Sequence, residues 1–248
     1  MRDRKRHGSR FLPTATFIAL GQALAPCAFG QTAEELLTAH AEALGGRAAL
    51  AAVKTLRHAG DGTFDSSFSG RLEGRVEMEI VVGEGVWRHS SMGTFTTTTV
   101  WDGSSAWELG PMGSRTLAGD ELRLLEQASL PFLAAGIGLP EGSQVVREGD
   151  RELDGVTHHV LRIDAGEGKP TTVYLNPETH LATRLVLAAE LPNLGQVEIT
   201  QDMQEYVEHD GVLFPRRIRV SVPGVFTSET VVDETAVNLE IDPERFEP

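Results

Sequence analysis

From about residue 55 onward, apolar residues recur at every second position, and short turn sequences interrupt the pattern at regular intervals. In RVEMEIVV (75–82), Val76, Met78, Ile80 and Val82 alternate with Arg75, Glu77, Glu79 and Val81, the pattern of a sheet with one wet face. Successive side chains of a strand point to opposite faces, so this spacing buries its apolar set only as sheet. The turns GEG (83–85), MG (92–93) and DG (102–103) supply residues that accept the backbone of a tight hairpin. TFTTTTVW (94–101) between them is β-branched and aromatic, a poor helix and a good strand. Later, LDGV (153–156), GEGK (166–169), NPETH (176–180), LPNLGQ (191–196), EHDGV (208–212) and VPGV (222–225) continue the punctuation. The spacing predicts ten or eleven strands joined as hairpins, with no βαβ alternation, and hence a mainly antiparallel sheet with added helices (α+β) in one domain.

Two segments depart from period two. TAEELLTAHAEALGGRAALAAVKTL (32–56) reads as helix, turn and short helix. Thr32 can cap the first helix, Glu34 and Glu35 suit its positive end, Leu36, Leu37, Ala41 and Leu44 form its apolar stripe, and Gly45-Gly46 ends it. In the middle, GDELRLLEQASLPFLAAGIGLPEG (119–142) predicts a helix from about Asp120 to Ala128, then a short apolar helix around Pro131 to Ile137.

The first thirty residues read as an export signal: a basic start, MRDRKRHGSR, an apolar middle, FLPTATFIALGQALAP, and AFG before Gln31. The apolar run, broken by Pro13 and Gln22, is short for a membrane span. Cys27, the chain's only cysteine, lies in LAPC, the outline of a lipoprotein cleavage box. Pro26 stands where that box calls for Gly, Ala or Ser, so a lipid anchor is the weaker reading and a periplasmic protein the stronger one. Removing residues 1–30 leaves 17 Lys+Arg against 35 Asp+Glu, a net charge of −18. That balance argues against nucleic acid and against adsorption to anionic headgroups. The remaining chain has no thiol nucleophile and no disulfide.

Catalytic signatures are missing: there is no HExxH or HxxEH, G-x-S-x-G, P-loop or G-x-G-x-x-G. His158 and His159 are adjacent, so on a strand they point to opposite faces and cannot share a metal; a wet strand is the simpler reading. Glu77 and Glu79 share a face at roughly 7 Å, a spacing open to acid-base chemistry, but the opposite face is the apolar one, which predicts that both are wet. RRIR (216–219) reads as an outer face in the same way. No catalytic residue, metal ligand or cofactor is assigned. In VWDGSSAWELGPMG (100–113), a hairpin turns at Asp102-Gly103. An even loop puts Trp101 and Trp107 on opposite faces, and a three-residue loop puts them on the same face.

That hairpin, D-G-x-x-x-W-x-x-x-P over Asp102, Gly103, Trp107 and Pro111, resembles one in the outer-membrane lipoprotein-sorting proteins, the LolA/LolB-like superfamily. ALGGRAALAAVKTLRHAGDGTF (43–64) is similar to the helix-to-strand opening of such proteins, and VYLNPETHLATRL (173–185) to a hairpin with Asn/Asp-Pro-x-Thr. YVEHDGVLFPRRIRV (206–220) resembles a late strand pair with D-G-V-x-x-P, and NLEIDPERFEP (238–248) a closing segment. The resemblance covers residues 31–248 and implies a curved, incomplete β-barrel of about eleven strands with helices covering the concave face. It implies a cavity that shields acyl chains, with Trp87, Phe95 and Trp101 on strands and Leu122, Leu125, Phe132, Leu133 and Ile137 on a lid. Alternatively, the helical insertion simply plugs the half-barrel and completes its core. One departure bears on the sorting task rather than the fold. Where carriers have a base-proline-x-x-x-Arg/Trp pattern, VVGEGVWRHS (81–90) has Trp87 and Arg88 without the proline or the preceding base. The expected function is a monomeric lipid or lipoprotein carrier without turnover. The alternatives are a protein-interaction module like the envelope-stress regulators of this fold and, more remotely, a hydrolase that uses acidic residues.

Overall fold

The computed structural model describes residues 30–165 and 168–247. The expected export signal and Cys27 lie outside them. Thr32 opens helix α1 (Ala33–Ala43) with a capping box: its hydroxyl accepts from the Glu35 amide at 3.2 Å, and the Glu35 carboxylate accepts from the Thr32 amide at 2.7 Å. Gly45, at φ 126°, turns the chain toward helix α2 (Arg47–Ala52). A Cβ at Gly45 would sit 2.1 Å from the Gly211 carbonyl oxygen, so only glycine lets this turn press against the sheet.

Thirteen strands follow among the described residues. They are β1 (Thr55–Ser66), β2 (Gly70–Val81), β3 (Gly85–Met92), β4 (Phe95–Trp101), β5 (Ala106–Gly110) and β6 (Gly113–Leu117), then β7 (Gln144–Leu153), β8 (Val156–Asp164), β9 (Thr171–Leu175), β10 (Ala182–Leu191), β11 (Gly195–His209), β12 (Val212–Val222) and β13 (Phe226–Val237). All neighbours pair antiparallel in one unclosed sheet ordered 6-5-4-3-2-1-13-12-11-10-9-8-7. The chain therefore starts at the centre of the sheet, walks out to β6, crosses to the opposite edge and walks back until β13 pairs with β1. The crossing contains helix α3 (Asp120–Ala128) and a 3₁₀ turn (Leu133–Ala135). The described residues from Gln31 onward cluster as one compact unit.

The strand count exceeds the expected eleven partly because GSRTL, which becomes β6, has little strand character of its own. Its register against β5, from Gly110↔Gly113 to Ala106↔Leu117, makes it a strand. The tryptophan question is settled by a four-residue loop: Trp101 pairs with Ala106 and Val100 with Trp107, so the two indoles face opposite sides.

Curvature follows from contacts made by α3. β4 and β10 are seven places apart in the sheet, roughly 34 Å if it were flat. One helix, about 10 Å across, touches both. Glycine permits this curl where strands crowd: a Cβ at Gly60 would lie 2.2 Å from the Val231 carbonyl oxygen, beside a register shift between β1 and β13.

Candidate functional site

Helix α3 crosses the concave face between the two arms of the sheet. Leu122 and Leu125, one turn apart, pack against Val86, Trp101, Ala106 and Leu117 of the first arm. Leu124, on the other side of the helix, packs with Leu187, Ala189, Ile199 and Val222 of the second. The helix is thus a wedge with an apolar contact on each flank.

A polar anchor fixes its first turn. β9 begins at Thr171, opposite Leu187, so the last residues of β10 have no strand neighbour on that side. The α3 side chains take its place: Arg123 donates to the Ala188 carbonyl at 2.6 Å, and Asp120 accepts from the Glu190 amide at 2.5 Å. Asp120 also receives Arg123 at 3.0 Å and Lys169 at 2.5 Å, while Gln127 bonds Thr171. Burial works against the Asp120 charge, but the donors from Lys169, the Glu190 amide and Arg123 outweigh it and hold the carboxyl below the usual carboxylate range.

The segment after α3 fills one end of the hollow. Phe132 joins a core with Leu44, Leu50, Leu56, Ile80 and Phe214, its ring 5.8 Å from that of Phe214, and Ile137 packs at its margin. Leu133 joins a second core with Leu36, Leu161, Val173 and Met203. Of the side chains expected at a ligand cavity, Phe132 and Leu133 thus sit in these cores and Ile137 beside one, whereas Trp101, Leu122 and Leu125 pack together under α3. Phe95 stands apart at the far end of β4, half exposed.

Toward the other end, the concave face carries an apolar patch that is only partly covered. Phe64, Leu72, Val220 and Phe226 are half-buried there, and the Phe64 and Phe226 rings stack at 5.5 Å. Arg88 stands on the same face between Met78 and Thr99. It is open to water yet ringed by protein, and this desolvation lowers its pKa despite the nearby Glu108 carboxylate. Arg88 has no ion pair among the described residues, and the buried Trp101 indole N–H finds no acceptor there. Beside α3, a half-open space of about 110 Å³ lies among Leu130, Leu133, Pro140 and Ile163, with Arg123, Glu126, Gln127 and Lys169 also lining it. Ligand pockets usually occupy about 300–1,000 Å³, so a larger ligand needs the wedge to shift or must extend along the open face.

This geometry can be set beside known structures. A LolA superfamily protein of Nitrosomonas europaea superposes over 88% of this chain and 99% of its own, with a TM-score of 0.60 at 11% identity. The fold is LolA/LolB-like. A DUF1329 family protein of Desulfovibrio piger (TM-score 0.55, 10% identity, covering 87% of this chain and 95% of that one) shares it. So does a Vibrio parahaemolyticus domain described as an outer membrane lipoprotein-sorting protein (0.53, 12%, 87% and 97%). No protein-family model matches the chain, and no curated protein matches it in sequence.

Within the LolA/LolB-like fold, several residues fall outside the concave site. Trp87 pairs with Glu79 and Val100 on the outer face, because it lies directly between the inward Val86 and Arg88 in the strand. Its ring stacks on His89, with the Arg245 guanidinium 4.7 Å above it. The acidic pair is also outward, but Glu79 is not wet: only 4% of it is exposed. The C-terminal 3₁₀ turn (Pro243–Phe246) folds over it, bringing Arg245 to 2.7 Å, while Arg57 approaches from β1 at 3.8 Å. His158 is likewise buried, its ring edge-on to Tyr174. A hollow of about 820 Å³ lies on the outer face too; Thr63, Asp65, Arg184, Asp202, Arg219 and Ser221 make it polar and unsuited to an acyl chain. Sequence patterning missed Asp120, Leu124, Lys169, Phe64 and Phe226 as parts of the interior. Only Asp120 left a signal, as the first-turn acid of a helix.

Proposed function

We propose that this protein is exported to the periplasm, where as a monomer it shelters an acyl chain of a lipid or lipoprotein on its concave face, without chemical turnover. The observation that carries this reading is an inward-facing apolar surface left half-covered, flanked by a helix that contacts both arms. An interior built only for stability would close over Phe64, Val220 and Phe226, since each, being half-buried, forgoes part of the about 1.5–3 kcal/mol that full burial contributes. Helix α3 acts as a displaceable wedge, and Arg88 faces the polar end of the ligand. Glu77 and Glu79, the one acidic pair considered for catalysis, both pair with Arg57, and Glu79 also pairs with Arg245.

Native mass spectrometry of protein taken from a bacterial periplasm, with lipid analysis of its organic extract, tests the reading. A stoichiometric acylated ligand is expected. Protein that is empty and takes up no fluorescent fatty acid would overturn the carrier and favour a protein-interaction module. Arg88→Gln should weaken uptake of a fatty acid severalfold and leave the corresponding alcohol unaffected.

A further inference from the structure

The hairpin turns at the two ends of the strands differ in chemistry. At one end, in sheet order, five successive tips read GPMG (110–113), MGTF (92–95), SSFSG (66–70), VPGVF (222–226) and LPNLG (191–195). None contains a charged residue, in a chain that is 23% charged. At the other end, the five turns carry Glu84, Asp102, Asp154, Glu178 and Asp210. The sixth connection at the uncharged end, between β8 and β9, does carry charge, and its Lys169 is engaged with Asp120. Large apolar side chains are exposed on the uncharged tips: Met112 fully, Phe68 at 90%, Phe95 at 50% and Leu194 at 41%.

We infer that this uncharged rim docks the protein on the surface of a neutral, zwitterionic lipid bilayer. Adjacent tips are two strands apart, roughly 10 Å, and each projects its apolar residue separately. A folded protein partner needs a contiguous apolar patch that packs to interior density, whereas a fluid lipid interface admits isolated side chains between headgroups. The tips have no Lys or Arg for anionic headgroups, and the strongly acidic body would be repelled by them. The acidic turns at the opposite end favour water, so the molecule binds in one orientation. No described helix is long and apolar enough to cross a membrane, and the contact is interfacial. Phe226 of the concave face belongs to one of these tips and Phe64 lies just inside another, so the interior opens toward the lipid.

The test is flotation of the chain from Gln31 onward, which excludes any anchor at Cys27, with phosphatidylcholine vesicles. Binding is expected, equally at low and at high salt and no stronger when phosphatidylglycerol is added. Phe68→Ser and Met112→Ser should each weaken it roughly tenfold. Phe68→Trp should keep binding and gain emission that brominated phosphatidylcholine quenches. Failure to float, binding that requires anionic lipid or is abolished by salt, or indifference to the tip substitutions would overturn the inference. Uptake of a soluble fluorescent fatty acid by the tip variants separates this outcome from that of the carrier reading: it should be unchanged, because the substituted side chains lie outside the interior.

Discussion

Two histidines couple this fold to acidity. The His40 ring is buried in α1 with Nδ1 donating to the His180 carbonyl at 2.8 Å, and His58 packs edge-on to Phe214 with Nδ1 at 2.9 Å from the Thr235 hydroxyl. Burial lowers each pKa to about 4 from 6.5, with His209 adding to the effect at His58. Below pH 6.5 the unfolded chain takes up protons that the folded one refuses. Stability present above that value is therefore lost as pH falls toward 4, by up to about 3 kcal/mol for each group. The melting temperature should drop steadily between pH 7 and 4.5, above the range in which most carboxylates titrate, and less steeply in His58→Phe. A flat profile would remove this account. Glu79 gives the second test at this scale. Arg245→Ala leaves a buried carboxylate with only the more distant Arg57, and should cost about 1–3 kcal/mol in urea unfolding; Arg245→Ala with Glu79→Gln should recover part of that.

The α3 wedge makes separable demands through its apolar flanks and its polar anchor. Leu125→Asp places a charge against Trp101 and Leu117, and should reduce fatty-acid uptake by two orders of magnitude or more with little change in far-UV circular dichroism. Unchanged affinity would exclude this flank from the ligand surface. Asp120→Asn instead weakens the attachment to β10 and should speed uptake while lowering the melting temperature. Elements of this kind were legible in the sequence where local chemistry decides them. The helix at Asp120–Ala128 was, and so were the capped α1 and the alternation in β2. What escaped depends on partners far along the chain. Trp87 could not be assigned a face until its register with Glu79 and Val100 was known. Glu79 reads as wet because the residue covering it, Arg245, lies 166 positions away. The role of Phe132, Leu133 and Ile137 stayed open because an apolar lid and an apolar plug share one pattern; their packing, with Phe132 against Phe214 and Leu133 beside Leu161, depends on residues far along the chain.

At the scale of the whole molecule, the topology raises the question of whether the two arms are one cooperative unit. The arm from β1 to β6 and the arm from β7 to β13 meet along the β1–β13 seam, where Leu56 pairs with Val237 and Ser66 with Phe226. They meet again across the concave face, through Leu122 and Leu125 on one flank of α3 and Leu124 on the other. Both arms share their inner cover, because the crossing segment between them, together with α1 and α2, supplies the side chains packed on it. The chain carries a probe of this coupling: Trp87, Trp101 and Trp107 all lie in the first arm, and both tyrosines, Tyr174 and Tyr206, lie in the second. Tryptophan emission therefore follows one arm, while far-UV circular dichroism follows both. In urea the two signals should give a single coincident transition, and a fragment ending at Ala128 should show none. Tryptophan emission that changes well before or after the circular dichroism would mean that the seam is weak and the arms are separate folding units. In that case α3 could not act as a wedge held from both sides.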